Sequence, residues 1–352
     1  MTYRSRSPFA SLSRAFSLGG ATLASIVAMY SSAALADQAG TSPRETWHHD
    51  IQQGYQQLNR TTESLAEAFT PGCDALDQDA LAAHWLDAYQ AWQAVRFVDF
   101  GPIEVDSRAW QLQFWPDNKN LVGSRIASRL GQETAVTPAD IAAAGVAEQG
   151  FPALEYLLFD DAMTQHSLQQ PNACALAQAI SQHLAQVASE LNRDWQAFRS
   201  HYLTTDSYSE ATVHAALQSL EILEDKRLGE PLGMMGAPAN GYRAEAWRSD
   251  ASITLATATL EGLQDHFVPG LALWLSQQHQ DDLAAAFSDQ LKDTLDQARQ
   301  LDTGIAAGLQ DDQTRQQLAT LYLEVAQLRQ VLGDEIAPAL GIVRGFNSSD
   351  GD

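Results

Sequence analysis

The chain has 352 residues, enough for one large domain or two of ordinary size. Its formal net charge is −23, which excludes a simple electrostatic partnership with nucleic acid or anionic lipid and suits a cationic partner or plain solubility. In chain order, residues 1–36 read as a cleaved secretory leader rather than part of the fold. Arg4, Arg6 and Arg14 give a basic start, an apolar small-residue run comes next, and Ala34-Leu35-Ala36 offers an A-x-A cleavage site before Asp37. No cysteine stands at that site, so a lipid anchor is not expected. No later segment approaches about eighteen consecutive apolar residues. The mature protein is therefore expected to be exported to the periplasm, with no membrane span.

Helical periodicity dominates the rest of the chain. Residues 45–69 carry Ile51, Tyr55, Leu58, Leu65 and Phe69 on one face, and Thr70-Pro71-Gly72 stops them. His48-His49 near the start is expected to face solvent. A second helix spans 77–97 with Leu81, Trp85, Ala88, Tyr89 and Trp92 as its stripe. Short helices are predicted over 121–130, from Thr137-Pro138 onward, and over 150–159. A long one runs 172–202, with Leu176, Ile180, Leu184, Val187, Leu191 and Trp195 facing in. The polar stretch 203–208 marks a domain boundary. Beyond it come helices over 210–227, 244–267, 281–309 and 312–332, with a Gly/Pro/Met-rich loop at 229–241 and an irregular tail from Pro338. The class is all-α, and two halves of about four helices each predict two packed up-down bundle domains, 37–203 and 204–352, with a cleft between them.

Two cysteines, Cys73 and Cys174, fit one disulfide in an oxidising compartment. Closing that loop of about 100 residues is worth ~4 kcal/mol in the chain-entropy model. Two free buried thiols are the alternative, and no spacing supports a reactive cysteine.

The segment from Arg96 to Asn120 has no apolar period. It mixes arginines, acids, aromatics, Gly and Pro, as a shaped binding surface on a rigid scaffold would. The alternative is a long loop plugging the end of a bundle. Glu155 in Gly150-Phe151-Pro152-Ala153-Leu154-Glu155 lies near a helix start, as an N-terminal charge or as part of the same site. The basic residues Arg96, Arg108, Lys119, Lys226 and Arg248 stand out in an acidic chain, alongside Glu104, Asp106, Asp117, Glu155, Asp225 and Glu245. Buried charges need partners. This set therefore predicts either a network locking the two halves or a pocket for a small charged ligand or metal species. Arginine forks suit carboxylate or phosphate, so an anionic metal chelate is conceivable.

Several stretches together resemble the imelysin-like family of exported bacterial proteins, sometimes called insulin-cleaving membrane proteases and implicated as a group in iron uptake. They are residues 91–96 (Ala-Trp-Gln-Ala-Val-Arg), Phe100-Gly101-Pro102-Ile103, Phe114 to Leu121, Gly150 to Phe159, Asp225 to Gly229, Glu245 to Ser249 and the terminal Gly345 to Asp352. The resemblance implies two helical bundles sharing a cleft and a Gly-x-His-x-x-Glu motif that binds metal. His and Glu at i, i+3 share a helix face and can reach one cation. Here Pro152 stands at the histidine position, and His84 and His166 lie outside the motif, so Glu155 alone is left as a metal ligand. A zinc site wants three or four protein ligands, and a His-Glu-x-x-His pair is absent. No catalytic residue is assigned.

The expected binding residues are Arg96, Glu104, Asp106, Arg108, Trp115, Asp117, Lys119, Glu155, Asp225, Lys226 and Glu245. The expected role is a ligand- or metal-binding component of iron uptake, holding a divalent metal or iron species and working with a periplasmic or outer-membrane uptake partner. A metal-dependent peptidase and a protein-interaction module are the alternatives.

Overall fold

Ser42 begins the first helix. Its hydroxyl accepts from the Glu45 amide at 3.1 Å while the Glu45 carboxylate accepts from the Ser42 amide at 3.1 Å, with Pro43 in the first turn. Helix α1 then runs Pro43–Ala68. The computed structural model describes residues 42–70, 72, 76–132, 136–163, 168 and 170–342. The leader (1–36), Cys73, His166 and the tail from residue 343 lie outside the described residues. Cys174 is buried and is not a free thiol.

The other principal helices are α2 (Gln78–Val95), α3 (Arg108–Leu112), α4 (Leu121–Leu130), α5 (Pro138–Ala142), α6 (Gly150–Phe159), α7 (Pro171–Thr204), α8 (Ser207–Glu221), α9 (Ser252–His266), α10 (Val268–Gln277), α11 (Asp281–Ala298) and α12 (Asp312–Gln330). The fold is all-α, and the described residues contain no strand. None of their helices is long and apolar enough to cross a membrane.

α1 packs between α2 and α7, and α6 closes onto α2 and α7. In the second half α11 packs on α9, α10 and α12, and α8 on α12. α2 lies against α9 and joins the two sets, so one continuous hydrophobic core runs through both. The division expected at residues 203/204 falls within the last turn of α7, just before the short link to α8.

Large aromatics fill this core. Trp47 stacks on Phe267 with ring centroids 6.0 Å apart, and its indole donates to the Phe267 carbonyl at 2.7 Å. Trp195 stacks on His48 at 5.3 Å. His48 is thus buried, not solvent-facing as expected, and its Nε2 pairs with the Trp195 carbonyl at 3.0 Å. The 3.6-residue stripe of α1 passes through position 48, which a polar residue type conceals.

Three other expectations are corrected. Residues 244–251 are a non-helical turn rather than the start of α9, because Ala246 (φ 49°) and Asp250 (φ 58°) are left-handed. The break at Phe267 is followed by α10, a helix that Pro269-Gly270 concealed by resembling a stop. The helix expected over 281–309 ends at Ala298, with a separate turn at Ile305–Gly308. Two segments, Ile222–Gly229 after α8 and Val331–Ile336 after α12, widen to π-helix. The first is tied to the last turn of α12 by the ion pair of Arg329 with Glu224.

Candidate binding cleft

Gly150 starts α6 at φ +72°, and a Cβ there would come within 2.1 Å of the Leu112 carbonyl oxygen. Only glycine lets the α6 start close on the end of α3. One turn on, Glu155 is buried, and all its hydrogen bonds fall on Oε1: from the amides of Arg248 and Ser249 and from the Ser249 hydroxyl, each at 3.0 Å. Burial pushes this carboxyl above the usual carboxylate range, while the Ser249 and Arg248 donors and the Arg248 charge pull it back.

Arg248 is held in turn by Asp160 (2.6 Å) and Asn120 (2.9 Å), with its guanidinium 4.3 Å over Trp247 and 5.4 Å over Tyr156. The loop Phe114–Asn120 arrives from the other side through a cis Trp115–Pro116 bond. Asp117 ends it by accepting from the Leu121 amide (2.7 Å) and the Val122 amide (2.9 Å), which caps α4.

These pieces enclose a cleft of about 830 Å³. Its walls are aromatic (Tyr89, Phe114, Trp115, Tyr242, Trp247), with Pro152 and Glu155 from α6 and with Lys119, Arg243 and Arg248 as cations. Behind the wall lies a buried network. The Glu245 carboxylate accepts from the Tyr89 hydroxyl (3.0 Å), Gln93 (2.8 Å) and Gln113. Arg227 Nε stands 2.5 Å from its Oε2, and Arg96 Nη1 is 3.7 Å from Oε1. Arg227 also donates to Thr259 of α9 at 2.6 Å. Burial lowers the Arg227 pKa, partly offset by Glu245. Arg96 reaches the cleft only indirectly, 5.8 Å above the Trp115 ring.

Of the residues expected from the sequence, Trp115, Asp117, Lys119 and Glu155 line this cleft, and Arg96 and Glu245 stand directly behind it. The others are elsewhere. Arg108 is buried against α7, donating to the Pro102 carbonyl (2.9 Å) and Asp194 (2.7 Å). Glu104 accepts from the Gly101 amide at 2.8 Å. Asp106 is an exposed left-handed turn residue whose carbonyl accepts from Gln111. Lys226 pairs with Glu230 at 2.7 Å on the surface, and Asp225 is half-buried beside Glu224.

Sequence reasoning misses Arg227, Gln93, Gln113 and Arg243. Arg227 continues the buried stripe of Leu220, Leu223 and Glu224, while Lys226 beside it is exposed. Gln93 lies in the Ala-Trp-Gln-Ala-Val-Arg stretch already singled out, but a glutamine gives no hydropathy signal of burial.

The metal that the motif implies does not fit here. Glu155 Oε1 is saturated by hydrogen-bond donors beside a guanidinium, and Pro152 offers no ligand atom. Among the described residues, no group of three or more His, Cys, Asp or Glu comes together to hold a metal ion.

Fold and site define an all-α protein with an aromatic, charge-lined cleft. The family model for Imelysin (Peptidase M75) matches residues 51–332, and the chain belongs to that family. An imelysin-like protein from Psychrobacter arcticum 273-4 shares the fold at TM-score 0.76 and 21% identity, over 86% of this chain and 98% of that one. A protein named as an iron-regulated protein A precursor from Parabacteroides distasonis ATCC 8503 shares it at TM-score 0.62 and 14% identity, over 85% and 97%. No curated protein matches significantly.

Proposed function

We propose that this imelysin-family protein is an exported, two-bundle binding protein that holds a small charged ligand in the cleft, in the service of iron acquisition, and that it does not cleave peptides. The cleft carries the reading. About 830 Å³ is the size of a small-molecule site, and its polar groups suit recognition rather than hydrolysis, since they supply neither a metal-ligand set nor an activated nucleophile. The link to iron is supported by family membership and by the name of the Parabacteroides relative. Export is supported by the leader-like residues 1–36.

Equilibrium dialysis of the purified protein against ferric citrate, with iron counted by mass spectrometry, tests the binding reading. About one iron retained per chain is expected, with retention lost in Trp115→Ala. No retention overturns the iron role. Chelator-sensitive cleavage of insulin or unfolded casein would replace it with the peptidase.

A further inference from the structure

We infer that the cleft selects an anion, specifically an aromatic or planar carboxylate, free or as its iron chelate; this deepens the binding reading above and rests on it. The observation is the balance of satisfied and unsatisfied charge on the cleft wall. Three carboxylates line it, and each already accepts from the protein, Asp117 through both oxygens and Glu155 and Glu230 through Oε1. Glu155 is held by two amides and a hydroxyl, Asp117 by the first amides of α4, and Glu230 by Lys226 at 2.7 Å. Of the three cations, Arg248 is tied to Asp160 and Asn120. Lys119 and Arg243 are exposed and have no ion-pair partner among the described residues. The charged side chains of the cleft that no protein group engages are therefore both cations, in a chain whose net charge is −23.

The layer behind the wall has the same sign. Two guanidiniums, Arg96 and Arg227, converge on the single carboxylate of Glu245, and the Arg96 charge lies 5.8 Å over Trp115. A cation entering the cleft would meet engaged carboxylates and free cations. A carboxylate would meet a lysine and an arginine able to close hydrogen-bonded ion pairs. The flanking rings set the rest of the ligand. Tyr242 is 73% exposed and edges onto Trp247 at 4.9 Å, and Trp115 faces the same space, which leaves aromatic surface for a planar group to stack on.

Three probes built on one ring separate the possibilities by charge: salicylate, ferric salicylate and benzylamine, titrated by calorimetry into wild type, Lys119→Gln and Arg243→Gln. The expected result is saturable binding of salicylate or its ferric complex. Each substitution should weaken it about tenfold, and the double variant about a hundredfold, with thermal stability unchanged. Binding of free salicylate identifies the organic anion as sufficient; binding of the ferric complex alone identifies the chelate. Benzylamine binding as tightly as salicylate, no binding of either salicylate form, or indifference to both substitutions overturns the assignment. Failed iron retention with intact salicylate binding removes the iron role and leaves the charge assignment standing. Retained iron that ignores both substitutions removes the charge assignment alone.

Discussion

Glu245 and Lys119 are both charged and differ in what their loss costs. Glu245 is 1% exposed and its carboxylate is shared by Arg227, Arg96, Tyr89, Gln93 and Gln113. Removing one partner of a buried ion pair costs about 3–5 kcal/mol, because the other charge is left without compensation. Glu245→Ala should therefore lose about that much in urea unfolding, and Glu245→Gln less, since the amide keeps part of the hydrogen bonding. Lys119→Gln should stay within about 0.5 kcal/mol of wild type, as surface substitutions do. Glu155 belongs with Glu245 in this respect. It fastens α6 to the 248–249 turn, so its truncation acts on stability as well as on the cleft.

At the scale of elements, α2 and α9 meet at unusually short range. A Cβ on Gly262 would fall 2.0 Å from the Ala94 carbonyl oxygen and 2.3 Å from its Cα, both backbone atoms that cannot swing away. Alanine is the better helix former by about 1 kcal/mol, whereas forcing a packed interface apart costs about 1–3 kcal/mol. Gly262→Ala should therefore lower the melting temperature. A rise would show that the two helices separate freely.

The long helices α1, α2 and α7 were legible because each repeats an apolar stripe over many turns. The turn at 244–251 was not legible. Glu245-Ala246-Trp247-Arg248 has ordinary helix-forming letters, and tertiary contacts hold it open, among them Glu245 with Arg227, Glu155 with the Arg248 and Ser249 amides, and Asp250 with the Gly304 amide. Trp115, Asp117 and Lys119 stood out together because residues 96–120 have no apolar period, whereas Glu155 lies in a helix and its charge at the helix start left two readings open, a capping charge or part of the same site. Arg227 rather than Lys226 was legible in principle, since Leu220, Leu223, Arg227 and Leu228 keep a three- and four-residue spacing that leaves Lys226 outside the stripe; its charge concealed it.

For the molecule as a whole, acid is the informative perturbation. Burial holds His48, His183 and His266 below the usual imidazole value, and for His48 the Trp195 carbonyl opposes this and Arg199 adds to it. A group whose folded pKa is depressed gives stability that is complete above its unfolded value, about 6.5, and is lost as pH falls below it. Burial raises Glu155 and Asp99, which bind protons more readily folded than unfolded and oppose the histidines at lower pH. The difference between wild type and His48→Gln separates these effects. Urea unfolding at pH 7.5, 6.5 and 5.5 should show a shallower loss in the variant, whose amide can still donate to Trp195. Parallel curves would mean that His48 does not titrate differently on folding.

The eight residues from Tyr242 to Ser249 have one further consequence. Tyr242, Arg243, Trp247 and Arg248 look into the cleft while Glu245, among them, is turned into the core. Cleft-facing and core-facing side chains thus alternate along one short ribbon, with Arg248 lining the cleft while also held by Asp160 and Asn120. Its outward letters can be rewritten, Arg243 to an acid for instance, to change the charge that the cleft presents, while the inward carboxylate keeps the scaffold intact.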